Sequence, residues 1–483
     1  MLLPLLAALA LAPSPAMAAD FPKADFKLKL DEYSINTEDY RFPSGLRILL
    51  QEDHTQPIIT VTNWFDRGSI HDGVNSKGES VEGIAHAVEH LAFRAKHGDL
   101  PKNWDVINQL GGNLNAFTNQ DATVYLTVAP VDAAIPLLRI EAMRMDNGVR
   151  NVTSDDIEAE KAIVRNELRM GYESGANGNA AVRTAFKEIG QLLYPPEHPY
   201  QNSTIGDHDT IKNIDLDSVQ RFVRENYRPE YATLAMVGDY DLSKGGGIRM
   251  IFSAFEGVEQ LLMSPDDAKA YTALTGAAER NEFMNQWLPK LEAHLKKTYQ
   301  ETPPARIDCT NREEPPPLYS KETITIKGMV ENPTAVAAWS LPHGYCDDDT
   351  SMNIAANLLG NYIIRTIDPD TDPFSQDSEI EGVGCFANAG VLGSMVMCFV
   401  EKGKLGGDSA DRLLDKIGDS LYLQWQPIDA VFKPFVDRNF NYSKLSAMQG
   451  VLDSTDNIAS LNGRSKFIAE HAHYTGRATY FSD

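Results

Sequence analysis

Residues 86 to 90 read His86-Ala87-Val88-Glu89-His90, and no other pentapeptide in the chain is as well spaced for chemistry. On a helix, positions four apart lie one turn above each other. The imidazoles of His86 and His90 would then share a face, with Glu89 projecting beside them. Histidine nitrogens are good zinc ligands, and a catalytic zinc takes three protein ligands and leaves its fourth position to water. A third ligand is therefore required. The segment EAEKAIVRNELRM offers Glu160 and Glu167, which are seven apart and so fall on one face of a second helix. Either could bind. Against this stands a plainer reading, in which the histidines are ordinary helix residues and the glutamates, lying among Lys161 and Arg165, form a solvated charged face. The two clusters together favour a metal.

The elements that must carry these residues can be read on either side. Tyr40 to Arg67 has the pattern of a hairpin turning at Ser44-Gly45, followed by an apolar strand, PIITVTNWFDRGS, that ends at Gly68. The spacing predicts a helix over Gly83 to Lys96, a shorter one over Trp104 to Leu110, and one long alternating strand over LNAFTNQDATVYLTVAP. Asp155 to Gly171 reads as strongly helical. Thr153 or Ser154 is available there as N-cap, and Asp155, Asp156 and Glu158 sit at the positive end of the dipole. A helix over LDSVQRFVRENY and a strand over YATLAMVGDYDL would close an α/β unit near residue 240.

Between Ser243 and Pro317, a Gly-Gly-Gly break, polar helical stretches and a Pro-rich run suggest a connector with a helical insertion. From Lys321 a second unit follows: strand, the helix DTSMNIAANLLGNYII, a hairpin across GVGCFANAGVLGSMVMCFVEKG, and the helix SADRLLDKIGDSLYLQW. Its order repeats that of the first unit, but its helix lacks the histidines and glutamate. The expected class is α+β: two related α/β units, each a mixed or antiparallel sheet packed with helices, the second degenerate and incomplete at YTGRATYFSD. The corresponding division is a signal peptide over 1–18, a catalytic domain over 19–242, the insertion and linker over 243–320, and a second, non-catalytic homologous domain over 321–483. His97, His198, His471 and His473 have no partner at ligand spacing and are expected at the surface, the last two on one side of an extended strand.

Composition agrees with two cores, since 483 residues at 42% hydrophobic content exceed what one ordinary core holds. The net charge of −24, from 68 acidic against 44 basic residues with no basic cluster, argues against nucleic acid as a partner. The opening apolar run closes on Ala16-Met17-Ala18, a signal-peptidase pattern with cleavage before Ala19, although no Lys or Arg precedes it. An exported, periplasmic or secreted protein is expected, with no membrane span in the mature chain. Cys309, Cys346, Cys385 and Cys398 form no CxxC pair; they could be buried thiols or two disulfides in any of three pairings.

The pattern H-x-x-E-H is that of the inverted zincins. Taken in order, GIAHAVEHLAF, GGNLNAFTNQDATVY, EAEKAIVRNELRM, HPYQNSTIG and YRPEYATLAMVGD resemble the insulinase and pitrilysin peptidase family, which includes the mitochondrial processing peptidases. The resemblance fades to patterning across the second unit. It implies a zinc metalloendopeptidase that acts on peptides or unfolded polypeptides. Zn2+ would be held by His86, His90 and Glu167, with Glu89 as general base and Glu160 as a supporting glutamate of the catalytic set. Asn115, Ala116, Phe117 and Thr118 look like the family's edge strand, onto which an extended substrate adds through backbone hydrogen bonds. By themselves, Asn115 and Phe117 would also pass as a turn residue and a core residue. The family's clam-shell arrangement implies a homodimer, or a heterodimer with a related subunit. The Arg and Tyr that the family's opposing half contributes are not assigned; Arg464 and Tyr474 are weak matches. The rival from another class is a non-catalytic peptide-binding or scaffold subunit, which would have no need of Glu89.

Overall fold

The structure is a computed structural model and describes residues 37–97, 100–173, 188–300, 334–341, 353–360, 380–388, 390–402, 449–450, 453–454 and 457–476. The expected signal peptide, Cys309, Cys346 and the helix SADRLLDKIGDSLYLQW lie outside the described residues.

Strands β1 (Glu38–Arg41), β2 (Arg47–Glu52), β3 (Ile58–Phe65), β4 (Asn113–Thr118), β5 (Thr123–Pro130) and β6 (Ala232–Gly238) form one sheet in the order β1-β2-β6-β3-β5-β4. Only the β2–β6 pair is parallel, so the sheet is mixed. Its central strands are apolar on both sides because both faces are covered. Ile48, Leu50, Ile59, Val61, Phe65 and Met236 point into the main core. That core is closed by helices α1 (Ile84–Ala92), α3 (Ala134–Asn147) and α5 (Leu216–Asn226), with α2 (Asn103–Gln109) and α4 (Ser154–Leu168) in the connections between them. Leu49, Trp64, Val124, Leu126 and Val237 point the other way, onto Ile468, Ala469 and Ala472 of α6 (Arg464–Thr475).

Several expectations change here. The single long strand expected over residues 114–130 is a hairpin. Asn119 Oδ1 accepts the N–H groups of Asp121 and Ala122 at 2.8 and 2.7 Å, which folds 119–122 into a turn between β4 and β5. As a result β4 becomes an edge strand, with one side unpaired among the described residues. The α3 helix has no counterpart in the sequence reading, because Arg139, Glu141 and Arg144 interrupt its apolar stripe. His471 and His473 lie on α6 and not on a strand, since Ile468, Ala469 and Ala472 bury along a helical face. The helices of the expected connector, Gly246–Ala254, Pro265–Thr272 and Ala277–Gln300, place Ile251, Tyr271, Trp287 and Leu291 in the first unit's core.

A second sheet, β7 (Thr334–Leu341), β8 (Ile380–Asn388) and β9 (Ser394–Lys402), is antiparallel in the order β7-β9-β8. Cys385 and Cys398 face each other in register across β8 and β9 and form a disulfide, with Cα atoms 4.1 Å apart. Among the described residues no helix is long and apolar enough to cross a membrane.

Candidate metal centre

The first helix of the site is placed by its N-terminal end. Gly83 precedes α1 with φ +91, and a Cβ there would fall 2.6 Å from the Ile205 carbonyl oxygen, so only glycine fits. Asp72 then does the capping from eleven residues upstream, accepting the N–H groups of Gly83 and Ala85 at 2.7 and 3.0 Å. Burial pushes its carboxyl well above the usual range, although these two N–H donors favour the charged form. The second helix, α4, starts at a capping box in which Thr153 and Asp156 satisfy each other's backbone N–H. Ile157, Val164 and Leu168 bury one side of α4 and turn Glu160 and Glu167 towards α1.

The three expected ligands meet. Glu167 Oε2 lies 3.7 Å from Nε2 of both His86 and His90, and one ligand atom from each residue falls within 4.8 Å of the others. Ligands at about 2.0–2.1 Å from a tetrahedral zinc would be about 3.3 Å apart, so the two glutamate–histidine separations are close to what zinc requires. Among the described residues it is the one cluster of histidine, cysteine and carboxylate groups at such spacing. The donor set, two imidazole nitrogens and one carboxylate, suits zinc.

The surroundings prepare each group. Burial, reinforced by His90, pushes His86 down to about 3, so that its ring is neutral and Nε2 is free to bind a metal. For His90, burial acts downwards, but the hydrogen bond to Glu160 and the charges of Glu89 and Glu167 outweigh it and raise its pKa. Its Nδ1 lies 3.2 Å from Glu160 Oε2, which directs Nε2 towards Glu167. Glu160 is itself buried and is held ionised against that burial by His90 and by Arg94, whose Nε donates to its other oxygen. His86 Nδ1 is buried with no hydrogen-bond partner among the described residues, so only one of the two imidazoles has a carboxylate behind it.

Glu89 lies on the same helix, 5% exposed, and burial raises its pKa to about 7 even though Thr118 Oγ1 donates to its Oε2 at 2.6 Å. Thr118 therefore faces the site with its side chain. Phe117 points away, edge-on to Trp64 at 6.1 Å, and Asn115 is exposed and accepts the Ala116 N–H. Asn115, Ala116 and Phe117 thus offer backbone, not side chains, at the free edge of β4. Arg464 pairs with Asp53 and Tyr474 packs on Trp64, so both serve the seating of α6.

The sequence reading missed what lies beneath. Arg144 is buried, donates through Nε and Nη2 to Glu141, and lies 3.6 Å over the Tyr125 ring, while Asn63 Nδ2 also donates to Glu141 at 2.9 Å. Its positive charge opposes the upward shift of Glu89. A charge pair three apart inside LLRIEAMRM, flanked by Ile140, Ala142 and Met145, was the available signal. Asp72 and Arg94 left no such trace, because their partners are distant in sequence.

Comparison with known proteins agrees with this geometry. Residues 47–173 match the family model described as Insulinase (Peptidase family M16). An uncharacterised zinc protease of Streptomyces coelicolor is 25% identical over 216 residues, covering 44% of this chain and 43% of that protein. The matched stretch spans about half the length, or less, of the first curated relatives. Among solved structures, a protease from Helicobacter pylori superposes with a TM-score of 0.63 at 18% identity, covering 91% of this chain and 90% of that one. A peptidase M16 inactive domain from Pseudomonas fluorescens gives a TM-score of 0.61 at 14% identity, covering 93% and 90%. These likenesses are of fold. The metal-spaced histidines on α1 and the glutamates on α4 all lie within the segment, residues 47–173, that is similar to the insulinase peptidases of family M16.

Proposed function

We propose that this chain is a zinc-dependent endopeptidase acting on peptides or unfolded polypeptides, with His86, His90 and Glu167 as ligands and Glu89 as general base. The observation that carries the reading is the convergence of the three ligand atoms within 4.8 Å, beside a buried carboxylate. Zinc, when bound, would polarise the scissile carbonyl and make a water acidic enough to attack at neutral pH. Glu89, poised near neutrality, takes the proton of that water and later delivers it to the leaving amine. Thr118 fixes one carboxylate oxygen so that the other is available to the water. Glu160 keeps His90 oriented and charge-matched without binding the metal. The free edge of β4 would take the substrate backbone as an added strand, a mode with little side-chain preference.

The test is cleavage of an unstructured peptide by the zinc-loaded protein. Glu89→Gln should lower kcat by about 10²- to 10⁴-fold with zinc content unchanged, whereas Glu167→Gln should lose zinc. Undiminished cleavage by Glu89→Gln would refute the mechanism. The P. fluorescens inactive domain favours a second reading, a non-catalytic subunit that presents peptides. Peptide binding with no cleavage by wild-type, zinc-loaded protein would establish that reading instead. Assembly with a second copy or a related chain belongs to the proposal, as does export with cleavage before Ala19. The Cys385–Cys398 disulfide supports an oxidising compartment.

A further inference from the structure

The turn between β8 and β9 sits on the first unit beside the β4–β5 turn, and one buried carboxylate receives it. Asp121 is 6% exposed. Its Oδ1 accepts the Tyr200 hydroxyl at 2.5 Å, and its Oδ2 accepts the Val391 N–H at 3.1 Å. The Tyr200 oxygen in turn accepts the Leu392 N–H at 3.1 Å, and His198 Nε2 lies 3.2 Å from the Leu392 carbonyl. The approach is close on both sides of that dipeptide. A Cβ on Gly390 would fall 2.6 Å from the Tyr200 hydroxyl oxygen, and one on Gly393 would fall 2.5 Å from that of Tyr194. Ile189, Leu193 and Tyr194 pack with Met395 and Met397 around this contact.

The 119–122 turn is held equally firmly from its other side. Ser69 and Ile70 donate their N–H groups to the carbonyls of Asn119 and Gln120, both at 3.0 Å. A Cβ on Gly68 would fall 2.3 Å from the Asn119 carbonyl oxygen, so these backbones are in direct contact. Thr118, the residue before this turn, donates to Glu89, and Thr123, the residue after it, donates to the Arg67 carbonyl at 2.8 Å. Hydrogen bonds at either end, joined by the backbone of the 119–122 turn, thus lead from the second sheet's hairpin through Asp121 to the carboxylate of the proposed base.

We propose that Asp121 is a positioning residue, coupling the seating of the β8–β9 turn to the place of Thr118 and, through it, of Glu89. The kinetic part of this proposal rests on Glu89 being the base; the structural part does not. The experiment is hydrogen exchange read by mass spectrometry on the full chain, with kinetics on an unstructured peptide in parallel. Asp121→Leu leaves the Val391 N–H and the Tyr200 hydroxyl without their acceptor. Amides at 391–392, 119–122 and 69–70 should then exchange about tenfold faster or more, while amides of the β2–β6 pair keep their wild-type rates. Asp121→Asn, whose carbonyl can still accept from Val391, should recover most of the protection. Should the leucine variant fail to fold, Tyr200→Phe should show the same regional pattern at smaller amplitude. In the kinetics, kcat should fall about tenfold or more with KM and zinc content nearly unchanged. Loosening confined to 391–392 would overturn the proposal, as would uniform loosening that includes β2 and β6, or an unchanged kcat in a protein that cleaves. A wild type that cleaves nothing would sink the peptidase reading alone, since the exchange pattern still decides the coupling.

Discussion

Glu160→Gln tests the proposed division of labour, in which Glu167 binds the metal and Glu160 aims a ligand. In the structure Glu160 Oε2 lies 3.2 Å from His90 Nδ1, and its other oxygen holds Arg94. The amide keeps the size but loses the charge and one acceptor oxygen, so His90 and Arg94 must compete for the oxygen that remains. Removing such a partner behind a metal-binding histidine costs about 10- to 100-fold in affinity, or about 1.4–2.7 kcal/mol. Glu167→Gln instead takes the negative charge from the group whose oxygen lies 3.7 Å from both Nε2 positions and should weaken zinc further. The assay is a competition titration, in which protein stripped of metal takes zinc from a chromophoric chelator of known affinity at one fixed pH. The reasoning fails if Glu160→Gln binds zinc like the wild type. If it binds more weakly than Glu167→Gln, the two glutamates exchange roles.

Three further outcomes are expected. Gly83→Ala forces a φ of +91 on a residue with a Cβ and presses it onto the Ile205 carbonyl, which should lower stability by about 1–3 kcal/mol in urea unfolding; a loss under about 0.5 kcal/mol would contradict the steric argument. Arg144→Met strands Glu141 in the core and should cost about 3–5 kcal/mol, most of it recovered in the double variant with Glu141→Leu; an additive double variant would contradict the pairing. Arg464→Gln should cost about 2 kcal/mol at neutral pH, because Arg464 and Asp53 pair with side chains only 10% and 11% exposed. Burial alone would raise the Asp53 pKa, but Thr55 and Arg464 outweigh it and hold it below the ordinary value of 3.8. That contribution is present above the unfolded value and is lost as pH falls through the folded one, so wild type and variant should converge in acid. A gap that persists there would exclude the ion pair as its cause.

The residues that cluster at the candidate site were legible in short-range pattern. His86 and His90 are four apart and Glu160 and Glu167 seven apart, and helix periodicity alone places each pair on one face. The strands around Trp64 and Val237 announced themselves by apolar runs, and the β8–β9 hairpin by its composition. What the chain order cannot carry is which face meets which. Glu160 and Glu167 were equivalent by spacing, and it is the packing of α4 on α1 that turns one towards His90 Nδ1 and the other towards both Nε2 atoms. The turn at 119–122 was hidden because alternation runs straight through it, and only the Asn119 side chain breaks the strand. Helix α3 was hidden because a buried ion pair looks like solvated charge until its partner is seen. Asp72, Arg94 and Asp121 find their partners at separations of 11 to 270 residues, where local propensity has no reach and only the assembled core brings donor to acceptor.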